Sequence, residues 1–396
     1  MRGISGIDPR AFRKRRNLWL AYLSELASPV LNAAATMAAR GRSSPPSQWR
    51  NGLIVGHNHL GDVLYRTCSL EPLRRALPEC SWSYLTSPVS AQALKNNASL
   101  LEILPFAAGE DSWKLRHGGF LELSARRFDV VLCTNTLRHY PDFALAAALR
   151  IPNRAGYVDK GLSGMINHPV TLNFPASYPA YFRSMVAQIA NIPPDWPLRP
   201  KVFPDAASRS QAEAAWLEAG FDGSRPVLAC TPVTRQASGD APRDVLLSIL
   251  SRARDVLDFD VALCGAPEDL DQLRLVSHAL PFEAKILAGR LDVLAFAALL
   301  EKCAALLTVD SGPRHLGNAV GLPVLFTRNL AQLRVETGKY CETETDVFPD
   351  TAELLTQREI ERFASGVSLD AAVAKVVTAI RDGASRASSP VSTGDR

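Results

Sequence analysis

Four short runs in this chain gather carboxylates, hydroxyls, histidines and glycines at places where the chain turns. The first is Gly56-His57-Asn58-His59-Leu60-Gly61-Asp62. Its Gly56-x4-Gly61 spacing matches half of a phosphate loop, but no Lys and Ser/Thr follow, so a nucleotide-hydrolysing loop is not supported. A GxGxxG dinucleotide fingerprint is also missing. What remains is Asp62 at the start of a helix, where the helix dipole stabilises a carboxylate. It reads either as a capping residue or as a general base. His57 and His59 form an HxH pair; two such ligands alone make no metal site, and hydrogen bonding to substrate or backbone is the simpler role.

The second run is Asp310-Ser311-Gly312-Pro313-Arg314-His315-Leu316-Gly317, after the apolar stretch ALLTV. Ser311 suits a helix N-cap and Pro313 the first helical turn. Backbone N–H groups at such a start bind anions, and a diphosphate fits them. The run is either an ordinary capped turn or a ligand site. Thr231-Pro232-Val233-Thr234-Arg235 offers hydroxyls and a guanidinium for phosphate. Gly265-Ala266-Pro267-Glu268-Asp269 offers carboxylates, Glu268 among them, for a ribose diol. Each of these two also reads as a cap with a surface charge.

The elements that must hold these turns alternate between strand and helix. Expected strands are 52–56, 82–86, 103–106, 128–133, 227–231, 260–264, 304–309 and 323–326, with helices near 61–77, 89–96, 140–149, 180–191, 207–219, 242–257, 267–279, 292–302, 313–320 and 368–381. These lengths fit βα units feeding parallel sheets. A stretch containing Pro193, Pro194, Pro197, Pro200 and Pro204 breaks the series and suits a linker. The expected fold class is therefore α/β, two Rossmann-type domains in tandem, with ligands at the carboxyl ends of strands and in a cleft between domains. The expected divisions are a basic extension over 1–50, a first domain over 51–195, a second over 196–350, a helical segment over 351–383 and a disordered tail over 384–396.

The formal net charge of +4 is unevenly spread. Residues 1–50 hold nine Lys/Arg and two Asp/Glu, whereas residues 51–396 hold 35 and 38. A slightly acidic body argues against nucleic acid as a partner. Seven scattered cysteines, with no CxxC, favour a reducing compartment and a cytoplasmic location. Glu25, Pro29 and Asn32 interrupt the apolar stretch 18–39, which makes a spanning helix a poor fit. A signal peptide fits no better, because the apolar part before Ser24-Glu25 is short. At helical spacing Trp19, Leu23, Leu26 and Val30 share a face, next to the cationic run Arg13-Lys14-Arg15-Arg16. Packing on the body is the commoner fate of such a stripe; the other is contact, through residues 10–40, with an anionic surface such as the inner membrane.

Three ordered blocks over residues 52–330 carry a family resemblance. HLGDVLYRTCSLEPLRRALPE, FDVVLCTNTLRHYPDFALAAALRIPNRAGY and LLTVDSGPRHLGNAVGLPVLF resemble the blocks of glycosyltransferase family nine, the heptosyltransferases. The resemblance implies a GT-B fold and an inverting transfer that needs neither metal nor cofactor. It implies a nucleotide-diphosphate sugar donor, ADP-heptose first, and a glycan or glycolipid acceptor such as lipopolysaccharide core. By that analogy Asp62 is the general base. Thr231, Thr234, Arg235, Glu268, Asp310, Ser311, Gly312, Pro313 and His315 bind donor, and His57, His59 and Arg138 lie on the acceptor side. Two positions depart from the family pattern: Ser238 where a Lys is usual, and Thr327 where a Gly follows the Leu-Phe strand. They leave a second hypothesis, a decayed relative that binds nucleotide sugar or glycan without transferring it. A GT-B epimerase, needing no acceptor, is the third.

Overall fold

The computed structural model describes residues 7, 9, 15–56, 59–106, 117–135, 140–172, 174–233, 243–327, 335–347 and 367–387. The chain forms two compact units, Met1–Leu198 and Arg199–Arg396.

In the first unit, strands β1 (Asn51–Val55), β2 (Ser81–Thr86), β3 (Glu102–Pro105), β4 (Val130–Cys133), β5 (Asn153–Tyr157) and β6 (His168–Val170) form one sheet in the order β3-β2-β1-β4-β5-β6. Its helices are α1 (Arg15–Ala38), α2 (Leu60–Leu64), α3 (Leu70–Ala76), α4 (Pro88–Gln92), α5 (His117–Ala125), α6 (Tyr140–Ala148) and α7 (Tyr178–Ala190). In the second, β7 (Val227–Thr231), β8 (Asp260–Leu263), β9 (Lys285–Ile286), β10 (Ala305–Val309), β11 (Val324–Thr327) and β12 (Glu344–Asp346) pair in the order β12-β11-β10-β7-β8-β9. Its helices are α8 (Ala206–Glu218), α9 (Arg243–Val256), α10 (Leu270–Ala279), α11 (Val293–Leu300), α12 (Gly312–Ala319) and α13 (Val367–Ala387). All the pairs are parallel. Both sheets thus share the doubly wound Rossmann order, with the direction of winding reversing between β1 and β4 in one and between β7 and β10 in the other. The central strands VVLC, VLACT and ALLTV are buried along their whole length, as strands covered by helices on both faces must be.

Several elements differ from the sequence expectation, each for a physical reason. The helix expected over 61–77 is three pieces: α2, a 3-10 turn at Tyr65–Ser69, and α3. Pro72 lacks an N–H and its ring crowds the carbonyl four residues back, which favours a break in the helix just ahead of it. Strands β5, β6, β9 and β12 were not expected. NRAGY, HPV and ETD carry Arg, Gly, Pro and carboxylates, which read as loop, and β9 has only two residues. β6 and β12 are edge strands, where Pro169 is tolerated. Helix α13 runs on to Ala387, so residues 384–387 are helix rather than tail; the rest of the expected tail lies outside the described residues.

Helix α1 is present, but its apolar stripe is not what packs on the body. The buried residues are Ala21, Ser28 and Ala35, seven apart and small, a narrow seam along one side of the helix. Against that seam lies the turn at Gly161–Met165. A Cβ on Gly164 would stand 2.4 Å from the Ser28 backbone oxygen, and one on Gly161 2.9 Å from that of Ala21. Only glycine permits this approach. Ser28 Oγ accepts from Gly164 N, and the Glu25 carboxylate accepts from Ser163 N at 3.0 Å and from the Ser163 hydroxyl. The buried Arg154 of β5 holds the turn from below, donating from Nε to the Met165 carbonyl at 2.7 Å. At the far end Arg150 Nε donates to the Ala38 carbonyl at 2.5 Å, a cation at a helix C-terminus.

Gly164→Ala is therefore expected to destabilise the first unit by about 1–3 kcal/mol, the usual range for an added methyl with no room. Thermal melts and limited proteolysis should show α1 released first; an unchanged melting point and cleavage pattern would mean that the seam is slack.

Candidate functional site

In each sheet separately the reversal of strand order marks the place where doubly wound sheets bind ligands, at the carboxyl ends of β1 and β4 in the first unit and of β7 and β10 in the second. The two most informative sequence runs both emerge there: Asp62 follows β1, and Asp310–His315 follows β10.

In the first unit, β1 ends at Val55 and the chain turns at Gly56. A Cβ there would lie 2.2 Å from the Tyr84 ring, so glycine is needed because an aromatic ring packs on it, not because a phosphate does. His59 occupies the N-cap of α2 without a side-chain cap bond, and is exposed. Asp62 stands three residues on, in the first turn, so it is not the capping residue itself. The Tyr65 hydroxyl donates to Asp62 Oδ1 at 2.9 Å. Arg66 is fully buried; its Nη1 donates to the Asp62 carbonyl and its Nη2 to the Thr134 carbonyl just past β4, at 3.1 Å. Thr134 in turn donates to the Val55 carbonyl at 2.8 Å. One guanidinium thus ties the Asp62 turn to both strands flanking the reversal. Burial acts to weaken the Arg66 cation, but the Tyr65 and Tyr84 hydroxyls and Asp62 around it prevail and hold it charged. Burial pushes Tyr84 up to about 12 and raises Tyr65 well above its ordinary value, so both keep their protons.

In the second unit, Ser311 sits at the N-cap of α12, but its hydroxyl donates to the Val309 carbonyl at 3.2 Å and makes no cap bond. The start of α12 is thus not closed by its own serine, the condition an anion site needs. Beneath it lies Arg314, 1% exposed. All five of its N–H donors are used: Nε and Nη2 on Glu344 at 2.7 and 2.9 Å, Nη1 on Asp310 Oδ1 and the Thr337 carbonyl at 2.8 Å each, Nη2 also on the Gly338 carbonyl at 2.7 Å. Its plane lies 3.6 Å from the Phe326 ring centroid. Glu344, on edge strand β12, is completely buried and also accepts from Asn318 Nδ2 at 2.6 Å and Tyr340 N at 2.9 Å. Burial acts to raise the Glu344 carboxyl, but the Arg314 charge and these hydrogen bonds outweigh it, and the net shift is downward.

A second chain of bonds fixes His315. Asn318 Nδ2 donates to the Tyr340 hydroxyl at 2.9 Å, and that hydroxyl meets His315 Nδ1 at 2.5 Å. Burial, then the Glu344 charge, raises the Tyr340 phenol well above its ordinary value. Tyr340 therefore keeps its proton, and its hydroxyl shares one hydrogen bond with the His315 ring.

The remaining sequence candidates fall in different places. Thr231 ends β7, but its hydroxyl is buried and donates to Thr308 on β10 at 2.6 Å, locking the two strands across the reversal. Glu268 is exposed on the 3-10 turn Pro267–Asp269, whose cap is made by Asp269 accepting from Ala266 N at 2.8 Å. Gly312 and Pro313 form the first turn of α12. His57, Arg138, Thr234, Arg235 and Ser238 lie outside the described residues. Among the described residues no group of three or more His, Cys, Asp or Glu side chains stands together as a metal site. A surface hollow of about 780 Å³ lined by Arg40, Leu121, Phe128 and Asp129 sits before β4, at the amino end of the strand rather than the carboxyl end.

The supporting residues Tyr65, Arg66, Tyr340 and Glu344 were not anticipated. One signal was available: Asp62/Arg66 and Asp310/Arg314 share an Asp-x3-Arg spacing, which brings both side chains to one side of a helical turn. Tyr340 and Glu344 come from a separate segment and carry no such mark.

Comparison with known proteins decides the family. The model of glycosyltransferase family 9 (heptosyltransferase) matches residues 120–327, just over half of the chain. This chain belongs to glycosyltransferase family 9. The match takes in the Asp310–His315 run and begins after Asp62. A search of curated proteins returns no match. Among solved structures, a family 9 glycosyltransferase from Veillonella parvula superposes with a TM-score of 0.70 at 17% identity, over 85% of this chain and 99% of that one. ADP-heptose lipopolysaccharide heptosyltransferase II of E. coli gives 0.60 at 16%, over 82% and 99%. The E. coli heptosyltransferase WaaC with ADP gives 0.57 at 14%, over 83% and 99%. At these identities the likeness is one of fold, and it agrees with the two parallel Rossmann-type sheets. This glycosyltransferase therefore carries the α/β architecture expected from its sequence.

Because the folded Glu344 carboxyl is depressed, its pairing with Arg314 stabilises the second unit fully above the ordinary value of 4.5 and is lost as pH falls below that through the folded value. Melting temperature measured down an acid series should fall along this limb, and Glu344→Gln should flatten it; parallel limbs would remove the pair from the account. Arg314→Met, which leaves Glu344 buried without its cation, is expected to cost about 3–5 kcal/mol of unfolding free energy.

Proposed function

We propose that this glycosyltransferase moves a sugar, heptose from ADP-heptose, onto a bacterial surface glycan or glycolipid such as lipopolysaccharide core, with inversion and without a metal ion. The observation that carries the reading is the open start of α12 over a fully satisfied Arg314, directly after β10 at the strand reversal. Peptide N–H groups fixed there before the reaction stabilise a leaving diphosphate without reorganising. His315, held through Tyr340, is assigned to the phosphate or the sugar. Asp310 gives one oxygen to Arg314, and its other oxygen suits a sugar hydroxyl. Ser311, Gly312 and Pro313 shape the turn, and Thr231 holds it to β7. Thr234, Arg235 and Glu268 are assigned to the rest of the donor.

In the first unit Asp62 is the proposed general base. It takes the proton of the acceptor hydroxyl as that oxygen attacks the anomeric carbon; the bond to the diphosphate breaks, and its electron pair leaves with the phosphate. Tyr65 and Arg66 act through Asp62 by fixing its carboxylate and its backbone. His57, His59 and Arg138 are assigned to the acceptor. The enzyme is read as cytoplasmic, working at the inner membrane where a lipid-linked acceptor is found.

Asp62→Asn should lower kcat by about 10²–10⁴, the range for loss of a general base, while leaving nucleotide affinity unchanged. Normal turnover in this variant would remove Asp62 from the mechanism. For the donor, thermal shift with ADP-, UDP- and GDP-linked sugars should select the ADP sugar. At about one hundred times Kd it should add about 2.7 kcal/mol. Stabilisation by the ADP sugar with no transfer to any glycan acceptor would instead favour a decayed binding protein.

A further inference from the structure

We propose that the outer face of α1 is an interfacial anchor that seats this protein on an anionic lipid bilayer, with the helix lying in the plane of the membrane surface. This goes beyond the transfer reaction and stands on the geometry of α1 alone.

Trp19, Leu23, Leu26, Val30 and Met37 are 67, 59, 80, 73 and 80% exposed. Their spacing of four, three, four and seven residues makes one continuous apolar stripe along the helix. Most exposed apolar residues on a protein surface are scattered singly and need no account, whereas a contiguous stripe marks a surface that meets something apolar. The stripe is held outward by design of the opposite side: the small seam of Ala21, Ser28 and Ala35 is locked onto Gly161 and Gly164, so α1 cannot roll to bury its larger side chains. Glu25, the only carboxylate in α1, is turned into the body and bonded to Ser163. The outer face therefore presents no negative charge.

The charges flanking the stripe choose the occupant. Arg13, Lys14, Arg15 and Arg16 lead into it, and Arg40 and Arg42 follow it. An apolar face bounded by cations inserts among acyl chains while the cations meet anionic headgroups. A second copy of the chain fits less well. Paired parallel, the two leading basic runs would meet; paired antiparallel, each would meet Arg40 and Arg42 of the other. Among the described residues no helix is long and apolar enough to cross a membrane, which leaves α1 on the surface rather than through it. Trp19, nearest the basic end, is the side chain suited to the boundary between headgroup and acyl chain.

The test is flotation of the full chain with vesicles of mixed phosphatidylcholine and phosphatidylglycerol, compared with phosphatidylcholine alone. The expected result is recovery with the anionic vesicles, weakened by added salt, and little with the neutral ones. The double variant Leu26→Glu/Val30→Glu should lose roughly tenfold or more of the bound fraction, since two apolar groups leave the interface. Its thermal shift with ADP should match that of the parent, which shows that the fold is intact and that the nucleotide site is separate. Three results would overturn the proposal: no recovery with anionic vesicles, equal recovery of parent and variant, or a lipid-free dimer of the parent that the variant dissociates. Failure of the parent to respond to ADP would instead count against the transfer reading and leave the vesicle result standing.

Discussion

A single guanidinium organises the second unit of this enzyme. Arg314 lies in the first turn of α12, 1% exposed, with all five donors engaged. An unpaired buried cation would be strongly unfavourable, and a partly satisfied one little better. Full satisfaction draws in Asp310, four residues back at the end of β10, and from a separate segment the carbonyls of Thr337 and Gly338 and Glu344 on the edge strand. The need to neutralise one charge thereby fixes where α12 begins, how β12 docks, and where Tyr340 and His315 meet.

The first unit buries a second arginine with other partners, its Nε left without a hydrogen bond. Arg66 is also buried and also four residues after an aspartate, but it grips two backbone carbonyls rather than two carboxylates. The outcome suits the different tasks. In the second unit the carboxylates are committed to holding a turn whose peptide N–H groups are the proposed anion site. In the first, the Asp62 carboxylate takes a bond from Tyr65, while Arg66 uses the Asp62 carbonyl and leaves the carboxylate to the base role assigned to it. Each arrangement sits where the winding of its own sheet reverses, so topology selects the location and the buried arginine makes it rigid.

Much of the fold was legible because the central strands are pure apolar runs and the helices between them keep a clear period. Legibility failed at the edges. Glu344 of β12 and Arg154 of β5 make their segments look like loops, because each is buried only through partners outside its own strand, Arg314 in one case and the Met165, Ile151 and Pro152 carbonyls in the other. The candidate site was half legible. Asp62 and the Asp310–His315 run stood out by residue type, whereas Thr231 did not reveal that its hydroxyl would be taken by Thr308. Helix α1 forms where its stripe lies, but of the two fates open to that stripe, packing on the body is not the one the structure shows. Apolar content usually decides which face is buried, and here two glycines and an inward-turned Glu25 decide it instead.

The central claim is that the start of α12 holds the nucleotide diphosphate. Backbone amide hydrogen exchange with and without saturating ADP tests it directly, because a bound phosphate ties up the N–H groups that would otherwise exchange. The account predicts slower exchange in the segment carrying Gly312, Arg314 and His315. Protection confined to the first unit, or unchanged exchange at α12 under saturating ADP, would contradict it.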